Sequence, residues 1–192
     1  MTGWNLHSVR CKAFETVAGI LVNARFRGSP TTFSILNFYG PYSNRESFWG
    51  KVRAGDLLSL PSLILAGDIN FTLNTGEIWG NFSRLDPLTP FFTQLLSDHH
   101  LVDLAPPCTG PTWKNCRAGI DGICKKLDKF LLSTDLVPSL HRYRVWSSIV
   151  DVFDHYPICL EWNVLTIAHS YPFKFNRVWL LEEGFSKLVS DC

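Results

Sequence analysis

The sequence has no excess of charge of one sign and no long apolar run. Its 192 residues include 18 Lys and Arg against 17 Asp and Glu, so the net charge of +1 creates no global field toward nucleic acid or membrane. The longest uncharged, core-like stretch, residues 57–67, is interrupted by Pro61 and is too short to span a bilayer. Trp4, Asn5 and His7 stand where a secretory leader would be apolar. We therefore expect a soluble intracellular protein with no membrane contact.

The sequence also lacks any regular cysteine spacing. There is no C-x-x-C pair and no zinc-module spacing, which favours free thiols in a reducing compartment. The six cysteines are Cys11, Cys108, Cys116, Cys124, Cys159 and Cys192.

The first part of the chain predicts strands and one helix. Residues 15–26 and 32–39 are rich in Val, Ile, Phe and Thr, and the Gly28-Ser29-Pro30 turn between them predicts a hairpin. Ser43 and Glu46 have capping-box spacing, which predicts a helix from about Asn44 into the Leu57 region. Residues 62–66, SLILA, predict a buried strand.

The second part continues the alternation of helix and strand. Thr89 and Pro90 predict the start of a helix with Phe92 and Leu95 on its apolar face. Further strands are predicted at 101–104, Thr112, 129–132, 142–145 and 158–162. This order indicates a layered α/β or α+β domain over residues 1–164. We interpret residues 165–192, an aromatic tail of mixed charge, as a linker leading out of the domain.

Two short motifs place polar groups beside apolar strands. Gly67-Asp68-Ile69-Asn70 leaves a carboxylate and an amide at a strand end, although a lone Asp there more often caps a turn. Phe153-Asp154-His155-Tyr156-Pro157 precedes the strand at 158–162 and offers a carboxylate and an imidazole able to work near neutral pH. By itself this second motif also fits a turn.

Three more features lie upstream of or between these motifs. Asp128, in Leu127-Asp128-Lys129-Phe130, is costly to bury unless it is paired, so we expect His155 or a solvated cleft beside it. A strand ends within Asn37-Phe38-Tyr39-Gly40-Pro41, which places the phenol ring of Tyr39 at the strand end. Thr112-Trp113 completes the set, with Trp113 as either a core residue or a base-stacking platform.

In this order, N-x-Y-x-P, G-D-x-N, T-W, L-D-x-F and D-H-x-P resemble the later motifs of the endonuclease/exonuclease/phosphatase superfamily. The sequence is also similar to the endonuclease domain of plant non-LTR (LINE-type) retrotransposon polyproteins. This similarity rests on Ser83-Arg84-Leu85-Asp86 and on the tail motif Pro172-Phe173-Lys174-Phe175. The resemblance implies an α+β fold, a layered α/β sandwich of the DNase I-like type. It also implies that residues 165–192 lead toward a reverse-transcriptase region.

The resemblance further implies Mg-dependent hydrolysis of DNA phosphodiesters, with manganese as a substitute. Asp68 would orient or deprotonate the attacking water, while Asn70 and Tyr39 would hold the phosphate. Asp128 and His155 would form a catalytic dyad, and Asp154 would be a metal ligand. Thr112 and Asn37 would bind or position the phosphate.

A basic cluster in the segment from Thr112-Trp113 to Phe130 is the candidate nucleic-acid surface, although an ordinary solvated hairpin explains the cluster equally well. Its members are Lys114, Arg117, Lys125, Lys126 and Lys129. A DNA substrate favours the nucleus as the compartment, with the cytoplasm as the alternative.

The sequence departs from the family pattern at its start. Only 36 residues precede Asn37, so the family's opening strands and its metal-binding Glu are absent, and Glu15 lacks the surrounding pattern. We expect part of one sheet to be missing, metal binding to be weakened, and exposed sheet edges to favour self-association. Phe153, where the family has Ser, is a second departure. The alternatives are a catalytically inactive remnant that binds nucleic acid or a partner chain, and a phosphodiesterase acting on inositol phosphates.

Overall fold

Three consecutive strands open the fold in a computed structural model that describes residues 3–81, 84–104, 110–117, 119–140, 142–147, 154–163, 184 and 190. They are β1 (Val9–Thr16), β2 (Gly19–Phe26) and β3 (Thr32–Tyr39), each antiparallel to the next. The predicted β2–β3 hairpin is confirmed. Apart from residues 184 and 190, the predicted linker at 165–192 lies outside the described residues, as do Phe153, Cys108 and Cys192.

The single strand predicted at 15–26 is wrong, because a tight turn divides this region into two strands. Thr16 Oγ1 accepts hydrogen bonds from the backbone N–H groups of Ala18 and Gly19 and donates to the Gly19 carbonyl. Gly19 has a φ of 144°, and a Cβ there would lie 2.2 Å from the Asn37 carbonyl oxygen. Only glycine allows β2 to approach β3 this closely.

The first helix, α1 (Arg45–Ala54), begins after Asn44, as predicted, but without the expected Ser43–Glu46 capping box. Asn44 adopts a left-handed backbone with φ 55° and makes no side-chain cap, and its carbonyl accepts the N–H of Phe48. Trp49 is buried and packs edge to face against Phe38, Phe71 and Phe92.

The remaining elements include those predicted, together with two short strands, Ile78–Trp79 and Cys124–Lys125, that were not predicted, and the strand predicted at Thr112 begins at Trp113. Strand β4 (Leu63–Asp68) ends at Asp68, two residues later than predicted, and α2 (Thr89–Asp98) starts at Thr89 with Pro90 in its first turn. The later strands are β5 (Ile78–Trp79), β6 (Leu101–Asp103), β7 (Trp113–Lys114), β8 (Cys124–Lys125), β9 (Asp128–Ser133), β10 (Arg142–Ser147) and β11 (Ile158–Asn163).

Six strands form the main sheet in the order β1-β2-β3-β4-β9-β6, with β3 and β4 parallel. The helices pack on one face, where Leu36, Leu63 and Leu131 meet Trp49 and Phe92. Within the described residues, β10 and β11 form a two-stranded sheet that covers part of the other face, and β5, β8 and β7 form a small three-stranded sheet.

Two expectations from composition can be compared with this structure. Cys11, Cys116, Cys124 and Cys159 are free thiols, as predicted for the four cysteines within the described ranges. No helix in the described part of the chain has the length and apolar character needed to cross a membrane.

Candidate active site

The site is built where β4 and β9 pair. Asp68, the last residue of β4, lies directly opposite Asp128, the first residue of β9, in antiparallel register. Gly67 has a φ of 148°, and a Cβ there would lie 2.0 Å from the Phe38 carbonyl oxygen. The glycine therefore lets β3 and β4 close together just before the carboxylate.

His155 lies beside both carboxylates. Its Nδ1 is 2.9 Å from Asp128 Oδ2, and its Nε2 is 3.8 Å from Asp68 Oδ2. An ionised carboxylate only accepts hydrogen bonds, so the shared proton belongs to Nδ1. The expected pairing of Asp128 with His155 is therefore present, and it leaves Nε2 directed toward Asp68.

Backbone contacts fix the His155 segment against the Thr112 segment. Trp113 and His155 form an isolated antiparallel bridge, the Tyr156 N–H donates to the Thr112 carbonyl at 2.7 Å, and the Lys114 N–H donates to the Asp154 carbonyl at 2.9 Å. The Trp113 indole N–H also donates to Asp154 Oδ2 at 3.3 Å. Trp113 is half-buried, and it positions Asp154 next to the dyad.

Thr112 acts on the dyad through the backbone of β9. Its buried Oγ1 accepts hydrogen bonds from the N–H groups of Leu127 at 3.0 Å and Asp128 at 2.9 Å. Of the two roles predicted for this hydroxyl, its contacts support positioning. The Leu127 carbonyl in turn accepts the N–H of Ile69 at 3.0 Å, which joins the start of β9 to the G-D-x-N motif.

Asn70 closes the other side of the site. It has a left-handed backbone with φ 59°, its N–H donates to Asp68 Oδ1 at 2.7 Å, and its side-chain amide donates to the Gly40 carbonyl. The Gly40 N–H donates to the Asp68 carbonyl at 2.6 Å. These bonds bring the N-x-Y-x-P and G-D-x-N motifs together.

Burial raises the pKa of Asp68 from 3.8 to about 6. The Asn70 N–H and the charge of His155 lower this pKa, while the neighbouring carboxylates of Asp128 and Asp154 raise it. Asp68 Oδ2 is buried and has no hydrogen-bond partner within the described part of the chain. This carboxylate is therefore poised to exchange a proton near neutral pH or to accept a cation.

Asn37 and Tyr39 are exposed side chains of β3, which runs parallel to β4. Tyr39 is 66% exposed and occupies the register position beside Asp68, whereas Asn37 lies beside Ala66, further back along the strand. Asn37 lines an apolar groove with Trp4 and Ile158. Tyr39 is thus at the edge that carries Asp68, while Asn37 is set back from it.

The structure corrects the assignment of Lys126 and Lys129 to the nucleic-acid surface. Lys129 is fully buried and Lys126 nearly so, and both ammonium groups pair with Glu77 and Asp103. A buried, paired ammonium cannot reach a DNA backbone. Arg117 is exposed and Lys125 half-buried, and the ammonium of Lys114 lies 5.3 Å from the centre of the Tyr156 ring.

Glu77 and Asp103 are the site-adjacent residues that motif reasoning did not find. The available signal was the pair of lysines next to the apolar run Phe130-Leu131-Leu132, because buried ammonium groups need carboxylate partners. Their partners come from β6 and from the loop after β4, and local spacing does not reveal that pairing.

The metal ligands can be tested against the same geometry. No group of three or more His, Cys, Asp and Glu side chains converges as a metal cluster within the described ranges. Magnesium, however, is commonly held by one or two carboxylates together with water and substrate phosphate. Asp68, with its unpartnered Oδ2, and Asp154 provide such oxygens, so this partial donor set fits magnesium.

The fold is a mixed α/β arrangement that matches DNase I-like endonuclease structures. The endonuclease domain of TRAS1, a telomere-specific non-LTR retrotransposon, superposes with a TM-score of 0.60 at 18% identity, over 80% of this chain and 68% of that chain. TDP2 from Caenorhabditis elegans superposes with a TM-score of 0.43 at 15% identity, over 79% of this chain and 49% of that chain.

Sequence comparison finds a protein of a transposon. The chain is 26% identical over 191 residues to the uncharacterized 149 kDa protein of transposon TX1 from Xenopus laevis. The match covers 93% of this chain and 14% of that protein, so the chain spans a small part of its relative's length. No protein-family model matches the sequence.

Proposed function

We propose that this chain carries the endonuclease site of a non-LTR retrotransposon, a phosphodiester hydrolase that nicks DNA. The observation that carries the proposal is the contact of His155 with Asp128 at 2.9 Å and its approach to Asp68 at 3.8 Å. Similarity to TRAS1 and to the transposon TX1 protein supports the retrotransposon origin. The plant origin of the element is proposed only because the sequence motifs are similar to those of plant retrotransposons.

In the proposed reaction, Asp68 accepts the proton of the attacking water. The pKa of about 6 places this carboxylate close to the operating pH, where a general base is most effective. The water oxygen forms a new bond to phosphorus as the bond to the leaving oxygen breaks. In its doubly protonated form His155, held by Asp128 through Nδ1–H, donates from Nε2 to the phosphate oxygens and stabilises their charge, while the leaving oxygen takes up a proton from solvent.

The remaining side chains bind and orient the substrate. Asn70 retains one side-chain amide N–H that can donate to a phosphate oxygen, and Tyr39 contacts the substrate at the exposed edge. Magnesium or manganese, bound by Asp154 together with the phosphate and water, would polarise the scissile group. Lys114, Arg117 and Lys125 would contact the DNA backbone outside this centre.

A second candidate function is DNA or partner binding by a catalytically inactive remnant. It is favoured by the exposed Arg117 and the half-buried Lys125, which can contact a DNA backbone without hydrolysing it. Under this alternative metal binding is weak and exposed sheet edges self-associate.

Supercoiled-plasmid nicking distinguishes the two candidates. Purified protein is assayed with Mg²⁺, with Mn²⁺ and with EDTA, alongside Asp68→Asn and His155→Ala. Asp56→Asn and His7→Ala are matched controls, because both residues are exposed and distant in sequence from the site motifs. Metal-dependent nicking lost only in the site variants supports the endonuclease. A folded, monodisperse protein that binds DNA but does not nick it supports the remnant.

A further inference from the structure

Four charged side chains form a group next to the candidate active site, which we call the buried charge cluster. Its members are Glu77, Asp103, Lys126 and Lys129. The side chain of Lys129 is 0% exposed, and those of the other three are 7 to 14% exposed. Two cations and two anions make the cluster neutral, and the proposed reaction uses none of them.

The cluster joins three separate segments. Lys129 Nζ donates to Glu77 Oε1 and lies 3.3 Å from Asp103 Oδ2, while Lys126 Nζ lies 3.2 Å from the same Asp103 oxygen. Glu77 Oε2 accepts the Leu73 N–H at 2.7 Å, and the Glu77 carbonyl accepts the Lys126 N–H at 3.0 Å. The loop after the G-D-x-N motif, strand β6 and the start of β9 are thereby held together.

The two lysines flank the residues that form the site. Lys126 and Lys129 enclose Leu127 and Asp128, whose backbone N–H groups are both bound by Thr112 Oγ1. Successive side chains of a strand point to opposite faces, so Lys129 lies on the face of Leu131 and the helices, while Asp128 lies on the face of Phe130. Asp128 is therefore fixed by Thr112 through its backbone and by the cluster from the opposite face.

We propose that Glu77 and Lys129 are positioning residues that set the distance between Asp128 and His155. Apolar side chains would fill this volume at a lower desolvation cost, so the ion pairs contribute a defined register of β9 against the loop after β4. A shift of β9 changes the Asp128–His155 contact and the cross-strand approach to Asp68. The positioning of Asp128 against His155 does not depend on the proposed function. Its importance for catalysis does rest on the proposed function.

The test compares two double variants that each remove one cation and one anion, so that the net charge is unchanged. In Glu77→Gln with Lys129→Met, the Gln side chain can still accept the Leu73 N–H, and Lys126 still pairs with Asp103. The control, Arg53→Met with Asp98→Asn, removes the 2.6 Å pair between α1 and α2. Folding is checked by circular dichroism and by the dispersion of the amide NMR spectrum.

Two readouts separate positioning from general stability. The first is the low-field NMR resonance of the His155 Nδ1–H, assigned by its absence in His155→Ala. The second is nicking kinetics, where the cluster variant should lose about 100-fold in kcat with little change in KM, as expected for a misplaced catalytic group. We expect the resonance to be lost or shifted upfield in the cluster variant and unchanged in the control.

The proposal is overturned if the folded cluster variant keeps the wild-type His155 resonance. If the wild-type protein does not nick DNA, the proposed function fails, yet the resonance still decides whether the cluster positions the dyad. If the cluster variant does not fold, Lys129→Arg is used with the same readouts. It keeps the charge but places a planar, bulkier group against Glu77, so a smaller change of the same sign is expected.

Discussion

Asp68 and Asp128 face each other across the antiparallel pair of β4 and β9, so that two carboxylates share one register position. Like charges directly opposite each other destabilise a sheet. Here His155 lies against both, and the Asn70 N–H binds Asp68. The arrangement is costly to the fold in the absence of a cation, which is typical of residues placed for chemistry rather than for stability.

Replacement of Asp68 by Asn should make the metal-free protein more stable at high pH. Burial raises the folded-state pKa of Asp68 to about 6, so the protonated form is favoured in the folded state. The stability that this carboxyl contributes is therefore fully present below its unfolded pKa of 3.8 and is lost as pH rises through about 6. Asp68→Asn removes this loss, with a gain on the order of 1–3 kcal/mol at pH 8. Urea denaturation in EDTA at about pH 4 and pH 8, on either side of the raised pKa, measures it.

Asp135→Asn is the matched control with the opposite sign. The hydrogen bond from Ser133 lowers the pKa of Asp135, so its carboxylate stabilises the fold above the unfolded pKa and loses that effect as pH falls. This variant should be less stable than wild type at about pH 8 and equal to it at low pH. A gain at high pH for both variants would contradict the account of Asp68.

Removal of the Asp128 charge should reduce nicking far more than DNA binding. Asp128 holds the Nδ1–H of His155, and an amide in its place permits the other tautomer and a rotated ring. For Asp128→Asn we expect a loss of about 10² to 10⁴ in rate, the usual range for an acid–base group. Single-turnover nicking measures it, with exposed Asp121→Asn as control. A rate equal to wild type would refute a catalytic dyad.

Thr112 should be replaceable by Ser but not by Val. Its hydroxyl accepts the N–H groups of Leu127 and Asp128, and Val leaves both donors buried without a partner. We expect Thr112→Val to cost about 1–3 kcal/mol for each unpaired donor, whereas Thr112→Ser retains both bonds. Equal urea midpoints for the Val and Ser variants would show that these bonds contribute little.

Glycine replacements should separate the site from the rest of the fold. A Cβ at Gly67 meets the Phe38 carbonyl oxygen at 2.0 Å, and its φ of 148° is unsuited to L side chains. Gly67→Ala should therefore move β4 away from β3 and abolish nicking. Gly50 lies within α1 with nothing within 4 Å of a Cβ, so Gly50→Ala should stabilise the protein by about 0.5–1 kcal/mol. Thermal melts and nicking assays check both variants.

The sequence predicted a contact where a buried charge needs a partner and a known motif supplies it. It did not predict contacts whose partner lies far away along the chain. Asp128 inside an apolar run required a partner, and the resemblance supplied His155. Lys126 and Lys129 belong to the same run, yet they were assigned to DNA because Glu77 and Asp103 lie 52 and 26 residues upstream of Lys129. The turn at Thr16–Gly19 was missed because Val17 and Ala18 give no local turn signal. It depends instead on the close approach of Gly19 to Asn37.

The corrected basic surface makes a final prediction about DNA binding. Arg117 is exposed and Lys125 half-buried, whereas Lys129 is fully buried and paired. Alanine at Arg117 and Lys125 should weaken binding equally for all DNA sequences and should reduce the slope of log K against log salt by about 0.9 for each phosphate that is no longer neutralised. In Lys129→Met, paired with Glu77→Gln to keep the cluster neutral, that slope should equal the wild-type slope. Fluorescence anisotropy at several salt concentrations measures both, and a reduced slope in the cluster variant would return Lys129 to the DNA surface.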